Sequence, residues 1–143
     1  MNHDTAELLS QCNAGIKMAV ASIDDVLEGV KNEQLHEILR SCREYHQQLG
    51  SRTHALLNSC GEHTREVNPV ARGMSWMKTS VKLAMRPDDA TVADLIVDGC
   101  NMGIKSLIRY KNQFAAASSD ARELASDLIR SEERLAADMR PYL

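Results

Sequence analysis

Two six-residue segments of this chain are almost identical. The segments Cys12–Lys17 (CNAGIK) and Cys100–Lys105 (CNMGIK) differ only at their third position and lie 88 residues apart. A glycine inside a helix costs about 1 kcal/mol relative to alanine, so its occurrence twice in one local context indicates a shared packing role. The pair of segments therefore predicts a duplicated helical hairpin, with each copy contributing two helices to one bundle.

The composition also favours helices over strands. Aromatic residues make up only 3% of the 143 residues, and leucine, alanine, methionine and isoleucine supply most of the apolar side chains. The three prolines, at positions 69, 87 and 141, leave long stretches free to be helical. A chain of this length suits one continuous core, so we expect a single all-α domain over residues 1–143.

Apolar residues recur at steps of three and four along most of the chain, which is the period of an amphipathic helix. Asn32 is placed to cap the second helix, Asp88 or Asp89 to cap the fourth, and Ser119 or Asp120 to begin the fifth. The third helix is short and falls in a crossover, residues 61–88, between hairpins 4–60 and 89–140. The predicted helices cover residues 4–31, 33–60, 70–85, 89–117 and 119–140.

This helix order, together with the segments Tyr45–Gly50 (YHQQLG) and Gly73–Lys78 (GMSWMK), resembles bacterial ferritin-like proteins of unknown function. It is most similar to a group of small Firmicutes proteins, and the resemblance covers nearly the whole chain. The resemblance implies a ferritin-like four-helix bundle with a short crossover helix and an ancestral metal site. It implies no particular reaction.

The carboxylates of a di-iron centre are incomplete in this sequence. Di-iron ferritin-like proteins carry a glutamate on each of two helices and Glu-x-x-His on each of the other two. Here the residue three positions after Glu44 is Gln47, and the residue three positions after Glu132 is Leu135, so neither motif has its histidine. We therefore expect no cofactor and a non-enzymatic binding or assembly module. The alternative is a metalloprotein that binds iron or another divalent metal in a redox or storage role. Its ligands would come from Glu44, Glu132, His46, Cys12 and Cys100.

A shift of 88 positions also maps Glu44 onto Glu132. On that basis we expect two related ion pairs beside the bundle seam and two asparagines in a central polar layer, which would fix helix register at some cost in stability. The simpler alternative places the lysines and glutamates in solvent. The predicted polar layer consists of Asn13, Asn101, Lys17, Lys105, Glu44 and Glu132, with Lys17 paired to Glu44 and Lys105 to Glu132.

The cysteines form no C-x-x-C pair, and no Cys/His set can be assembled from the sequence without knowing the tertiary structure. His46 is the one histidine that we expect to be partly buried. The cysteines are most simply small buried apolar residues, and a thiol pair of Cys12 with Cys100 is the less favoured alternative. Gly15 and Gly103 are expected to allow a close helix approach or to make room for Tyr45 or Tyr110.

Charge and hydropathy limit the partners. A net charge of −3 argues against general nucleic-acid binding. No apolar stretch approaches the ~20 residues of a membrane span, and no targeting segment is evident, so we expect a cytoplasmic protein. The paired seams and the extra helix would suit a homodimer.

The crossover is the one strongly basic region. Residues 65–86 carry five cationic side chains and a single carboxylate. One interpretation is a surface for an acidic partner or an anionic membrane, and the favoured alternative is a helix that covers the bundle. The surface would consist of Arg72, Trp76, Lys78, Lys82 and Arg86.

Overall fold

Four α-helices form the part of the chain that the structure describes. A computed structural model describes residues 2–59 and 88–143. Its helices are α1 (His3–Leu27), α2 (Glu33–Ser59), α3 (Asp89–Gln113) and α4 (Ser119–Met139), and a 3-10 turn at Arg140–Tyr142 follows. The predicted all-α four-helix bundle is confirmed, and the described ranges contain no strand. The predicted crossover helix, with its basic surface and Cys60, lies outside them.

A side-chain cap begins each helix by accepting a hydrogen bond from an amide N–H that has no partner within the helix. The predicted caps Asn32 and Asp88 are confirmed. The predicted start of this helix at a cap of Ser119 or Asp120 is wrong, because the N-cap residue of α4 is Ser118. The caps and their amide donors are Asn2 with Thr5 (2.8 Å), Asn32 with Leu35 (2.9 Å), Asp88 with Thr91 (2.8 Å) and Ser118 with Ala121 (3.3 Å).

Two helices end earlier than their apolar pattern predicts. α1 stops at Leu27 rather than residue 31, and α3 stops at Gln113 rather than residue 117. Phe114 leaves the helical region with φ −100° and ψ 54°. Phe114 and Ala117 are nevertheless buried. Residues that continue the apolar helical pattern in the sequence thus reach the core from the turn.

Hydrogen bonds at the two ends of the bundle set the helix directions. The Asp89 carboxylate accepts from the backbone N–H groups of Lys31 (2.9 Å) and Asn32 (3.0 Å), so α2 and α3 begin at the same end. At the other end, the Thr5 hydroxyl accepts from the Ser118 N–H at 2.8 Å. α2 is about 40 Å long at 1.5 Å per residue. Its last residue and the first residue of α3 therefore lie at opposite ends of the bundle.

The apolar core is divided into two clusters. α1 packs against all three other helices, whereas α2 and α3 each pack against α1 and α4. One cluster holds residues such as Leu57, Leu107 and Leu128, and the other holds residues such as Leu39 and Ile96. On α2 and α4 the two clusters meet at one helical turn each, around residues 46 and 132.

Gly99 offers a simple test of the helical assignment of α3. A Cβ atom added there meets nothing within 4 Å, and the residue is exposed in the middle of the helix. We expect Gly99→Ala to raise the free energy of unfolding by about 0.5–1 kcal/mol, because alanine loses less backbone entropy on folding. Urea denaturation measures the change.

Gly50→Ala is the matched control. Its Cβ would lie 3.4 Å from the Ile16 Cγ2 atom, so the entropic gain is offset by a tighter contact. We expect a smaller gain than at Gly99, or a small loss. A loss of stability in Gly99→Ala would contradict the open helix face described here.

Candidate functional site

A histidine and a glutamate form a buried pair at the middle of the bundle. His46 Nε2 lies 2.9 Å from Glu132 Oε1, and the side chains are 0% and 9% exposed. His46 is on α2 and Glu132 on α4, so the bond joins the first hairpin to the second. Charged side chains are almost never fully buried unless they are paired. His46 was expected to be partly buried; it is buried completely, and its partner is the glutamate.

The two residues occupy matching positions in the two hairpins. His46 and Glu132 are 86 residues apart, the same offset that separates the first residues of α2 and α4. Four other buried positions of α2 have buried counterparts at this offset: Leu35 and Ala121, Leu39 and Ala125, Leu49 and Leu135, and Thr53 and Met139.

This offset corrects the equivalence predicted for Glu44. The 88-residue shift relates buried Cys12 to buried Cys100 on α1 and α3, but it does not apply to α2 and α4. Glu44 is exposed and bonds Arg40 on its own helix. The residue of α2 that corresponds to Glu132 is therefore His46.

The hydrogen-bond partners of His46 Nδ1 indicate which atoms of the His46–Glu132 pair carry hydrogens. His46 Nδ1 lies 2.9 Å from the backbone carbonyl oxygen of Cys42 and 3.3 Å from its sulfur. A carbonyl oxygen only accepts hydrogen bonds, so Nδ1 carries a hydrogen. One further proton is left for Nε2 and the Glu132 carboxylate to share. The pair is thus either imidazolium with carboxylate or imidazole with carboxylic acid.

The charged form prevails at neutral pH. Burial lowers the pKa of His46, but hydrogen bonds to the side chains of Cys42 and Glu132 outweigh burial and raise the pKa to about 10. Below that pH, His46 is an imidazolium that donates from both nitrogens. The centre of the bundle therefore holds an ion pair with little access to water.

The surroundings of Cys12 and Cys100 make these two buried thiols unreactive. Burial raises the pKa of Cys12 to about 12. Burial, followed by the Glu132 carboxylate beside it, raises the pKa of Cys100 far above the ordinary thiol range. Thiols that stay protonated are poor nucleophiles. Cys12, Cys42 and Cys100 are all free thiols, and Cys12 and Cys100 belong to different clusters of the core.

An open groove of about 630 Å³ runs between α2 and α4. Its lining includes Cys42 and Tyr45 from α2 and Arg130, Arg134 and Leu135 from α4. Cys42 is half-buried, and its side chain separates the groove from His46. Cys42 is thus a lining residue of the groove that also contacts the buried pair.

The predicted polar layer is corrected in several places. Asn13 is buried and Glu132 is buried, but Asn101 is exposed. α1 is covered by three helices and α3 mainly by two, so matching residues are buried to different extents. Glu132 pairs with His46 and not with Lys105, which is exposed. The pairing of Lys17 with Glu44 stays a prediction.

Three further residues depart from expectation in their contacts. The Asn13 amide nitrogen Nδ2 is buried without a hydrogen-bond partner. A Cβ at Gly15 would lie 3.9 Å from Leu128 Cδ2, and one at Gly103 would lie 3.7 Å from Glu132 Oε2. These are ordinary contacts, so neither glycine is needed for a close approach, and neither makes room for a tyrosine. Gly103 instead leaves space beside the Glu132 carboxylate.

The residues proposed as metal ligands are only partly brought together. His46, Glu132 and Cys100 are neighbours, whereas Cys12 belongs to the other half of the core and Glu44 is at the surface. No group of three or more histidine, cysteine, aspartate and glutamate side chains in residues 2–59 and 88–143 could hold a metal ion. Glu132 contacts both His46 and Cys100.

No family model, curated protein or solved structure matches this chain. The ferritin-like resemblance therefore remains an interpretation of the pattern and helix order. Within the described part of the chain, no helix has both the length and the apolar character needed to cross a membrane.

Proposed function

We propose that this protein is a non-enzymatic helical-bundle module for binding or assembly, ferritin-like in plan and with a degenerate metal site. The observation that carries the proposal is the hydrogen bond between His46 and Glu132. It lies at the centre of the bundle, where α2 and α4 present matching positions to each other. Ferritin-like metal proteins place their ligands at such positions.

The bonding of both residues supports a structural role for the pair. Metal ligands must offer lone pairs, so histidine binds in its neutral form and cysteine as a thiolate. Here His46 donates from Nδ1 to the Cys42 carbonyl and from Nε2 to Glu132. A metal ion would have to displace these protons and also one from Cys100. A polar pair of this kind is suited to fixing which helices pack together and in which register.

Among the described residues, the α2–α4 groove is a concave surface suited to binding. It combines apolar side chains such as Ile38 and Leu135 with charged groups of both signs, which suits an amphipathic ligand or peptide. The basic crossover surface, the acidic or membrane partner proposed for it, the homodimer and the cytoplasmic location remain proposals from the sequence.

Anaerobic iron loading tests the proposal. We expect purified protein that is offered ferrous iron and then desalted to retain well under one ion per chain by elemental analysis. About one or two ions per chain, as a mononuclear or di-iron site requires, would contradict the proposal if Glu132→Ala abolished them. Glu44→Ala is the matched control, because its carboxylate is exposed and bonds only a surface arginine among the contacts described here.

A metalloprotein is the second candidate, and the clustering of His46, Glu132 and Cys100 favours it. Under that interpretation, His46→Ala and Cys100→Ser would each reduce the iron retained, whereas Cys12→Ser would not. Equal retention in all these variants would exclude the cluster as the site and assign the metal to adventitious surface groups.

A further inference from the structure

We propose that the outer face of α3 is a homodimer interface, on which a second copy of this chain packs its own α3 antiparallel about a twofold axis beside Met102. This inference rests on the proposed assembly role and deepens it, because it names both the partner and the surface. The α3 outer face is defined by positions that recur at steps of four and three residues and by two positions next to them. Its residues are Asp94, Asp98, Asn101, Met102, Lys105, Ile108 and Arg109.

Large apolar side chains are exposed on this face. Met102 is 66% exposed and Ile108 is 45% exposed, and both are among the four large hydrophobic residues that are exposed in the described part of the chain. α1 packs against three helices, whereas α3 packs mainly against α1 and α4. The described helices therefore leave one side of α3 uncovered. A partner that covers Met102 and Ile108 would remove apolar surface from water, which favours association.

The charges of the α3 outer face are divided between its two halves. Asp94 and Asp98 precede Met102, whereas Lys105 and Arg109 follow it. The four charged positions are separated by four, seven and four residues, so they lie on one stripe of a helix that has 3.6 residues per turn. A parallel pair of α3 helices would place like charges together. An antiparallel pair places each acidic half against a basic half, which is electrostatically complementary.

The charges are also symmetric about one point of the helix. The midpoint between Asp94 and Arg109 is the same as the midpoint between Asp98 and Lys105, and it falls directly before Met102. A twofold axis at this point brings the two Met102 side chains together and sets both charge pairs at matching levels. A twofold interface uses the same patch on both copies, as this face can.

The four charges can accept partners from a second copy. Lys105 and Arg109 are exposed, and neither forms a salt bridge with another residue in the described ranges. Asp94 and Asp98 each have an interaction within their own chain, but a carboxylate has about four lone-pair sites and can accept a further donor. Exposed ion pairs add little affinity, so their role is to select register and direction. One helix pair is a small interface, and we expect a weak dimer.

Sedimentation equilibrium of the full chain at pH 7 tests the interface. Between about 10 and 500 µM, we expect the average mass to rise from that of one chain, 15.9 kDa, toward that of two. Met102→Glu places like charges beside the twofold axis and should raise the Kd at least about tenfold. Tyr45→Glu is the matched control, because Tyr45 is also exposed but lies on α2. It should leave the Kd unchanged.

Two results of this measurement would overturn the interface. One is a mass that stays at one chain over the whole concentration range. The other is a dimer that Tyr45→Glu weakens and Met102→Glu does not, which would keep an assembly role but move it to another surface. Iron retention is measured separately, so failure of this interface is distinguishable from failure of the proposed function.

Charge reversal tests the complementarity. Lys105→Glu with Arg109→Glu, and separately Asp94→Lys with Asp98→Lys, should each weaken the homodimer at least about tenfold, because each makes the stripe a single sign. An equimolar mixture of the two double variants should again form a dimer. A mixture that stays monomeric, with both variants folded by circular dichroism, would contradict the assignment.

Cross-linking tests the direction of the helices. In a background with Cys42→Ser and Cys60→Ser, a short bismaleimide should link Met102→Cys to its own copy. Arg109→Cys should be linked in a mixture with Asp94→Cys but not to itself, because two copies of position 109 lie about 20 Å apart along an antiparallel pair. Linkage of Arg109→Cys to itself, without linkage to Asp94→Cys, would overturn the antiparallel arrangement.

Discussion

Glu132→Ala is expected to lower the free energy of unfolding by about 3–5 kcal/mol, as removal of one partner from a buried ion pair usually does. The substitution leaves His46 without its partner in the middle of the core and also opens a cavity beside Gly103. His46→Ala should cost a similar amount, because it leaves the Glu132 carboxylate buried and unpaired. Urea denaturation at pH 7, followed by circular dichroism, measures both.

Replacement of both partners distinguishes the energy of the His46–Glu132 interaction from the cost of burying two charged groups. We expect His46→Leu with Glu132→Leu to recover most of the loss, since apolar residues of similar volume avoid the cost of dehydrating charges. Glu44→Ala is the surface control and should change stability by less than about 0.5 kcal/mol. A loss below about 1 kcal/mol in Glu132→Ala would contradict the burial of this pair.

Stability should fall as the pH rises above the ordinary pKa of histidine. The pKa of His46 is raised in the folded protein to about 10, from an ordinary value of 6.5. The folded state therefore holds a proton that the unfolded state releases across this range. The stabilising contribution is complete below pH 6.5 and is lost by pH 10. The expected slope is roughly 1 kcal/mol per pH unit.

Urea denaturation between pH 6.5 and 8.5 is the informative measurement, because thiols begin to ionise in the unfolded chain above that range. His46→Gln should abolish most of the slope, whereas His36→Gln, a half-buried position on the same helix, should retain it. Stability that stays level or rises with pH over this range would show that the buried pair is neutral.

Helix periodicity and local capping chemistry were sufficient to predict the fold class. The start of α2 at Glu33 and of α3 at Asp89 follow from Asn32 and Asp88, whose side chains act on amides three residues away. The ends of α1 and α3 were predicted too late, because residues such as Phe114 are apolar for reasons of tertiary packing. Local pattern does not distinguish a buried turn residue from a helical one.

The candidate site depends on distant positions, and sequence reasoning found only part of it. Glu132 and His46 were each singled out, but the hexapeptide offset assigned Glu132 the wrong counterpart on α2. The signal that could have found the pair is the offset between the caps Asn32 and Ser118, which is 86 residues. The contact of Cys42 with His46 did have a local signal, since the two residues are four positions apart on one predicted helix.

The division of the core into two clusters makes the two ends of the bundle separate units of packing. Substitutions in one end share few neighbours with those in the other, so their effects on stability should simply add. One end can then be reshaped by mutation without repacking the other, provided that the turns containing His46 and Glu132 keep their bond. The two halves of the bundle are joined at the turns that contain His46 and Glu132, and single substitutions should be tolerated least there.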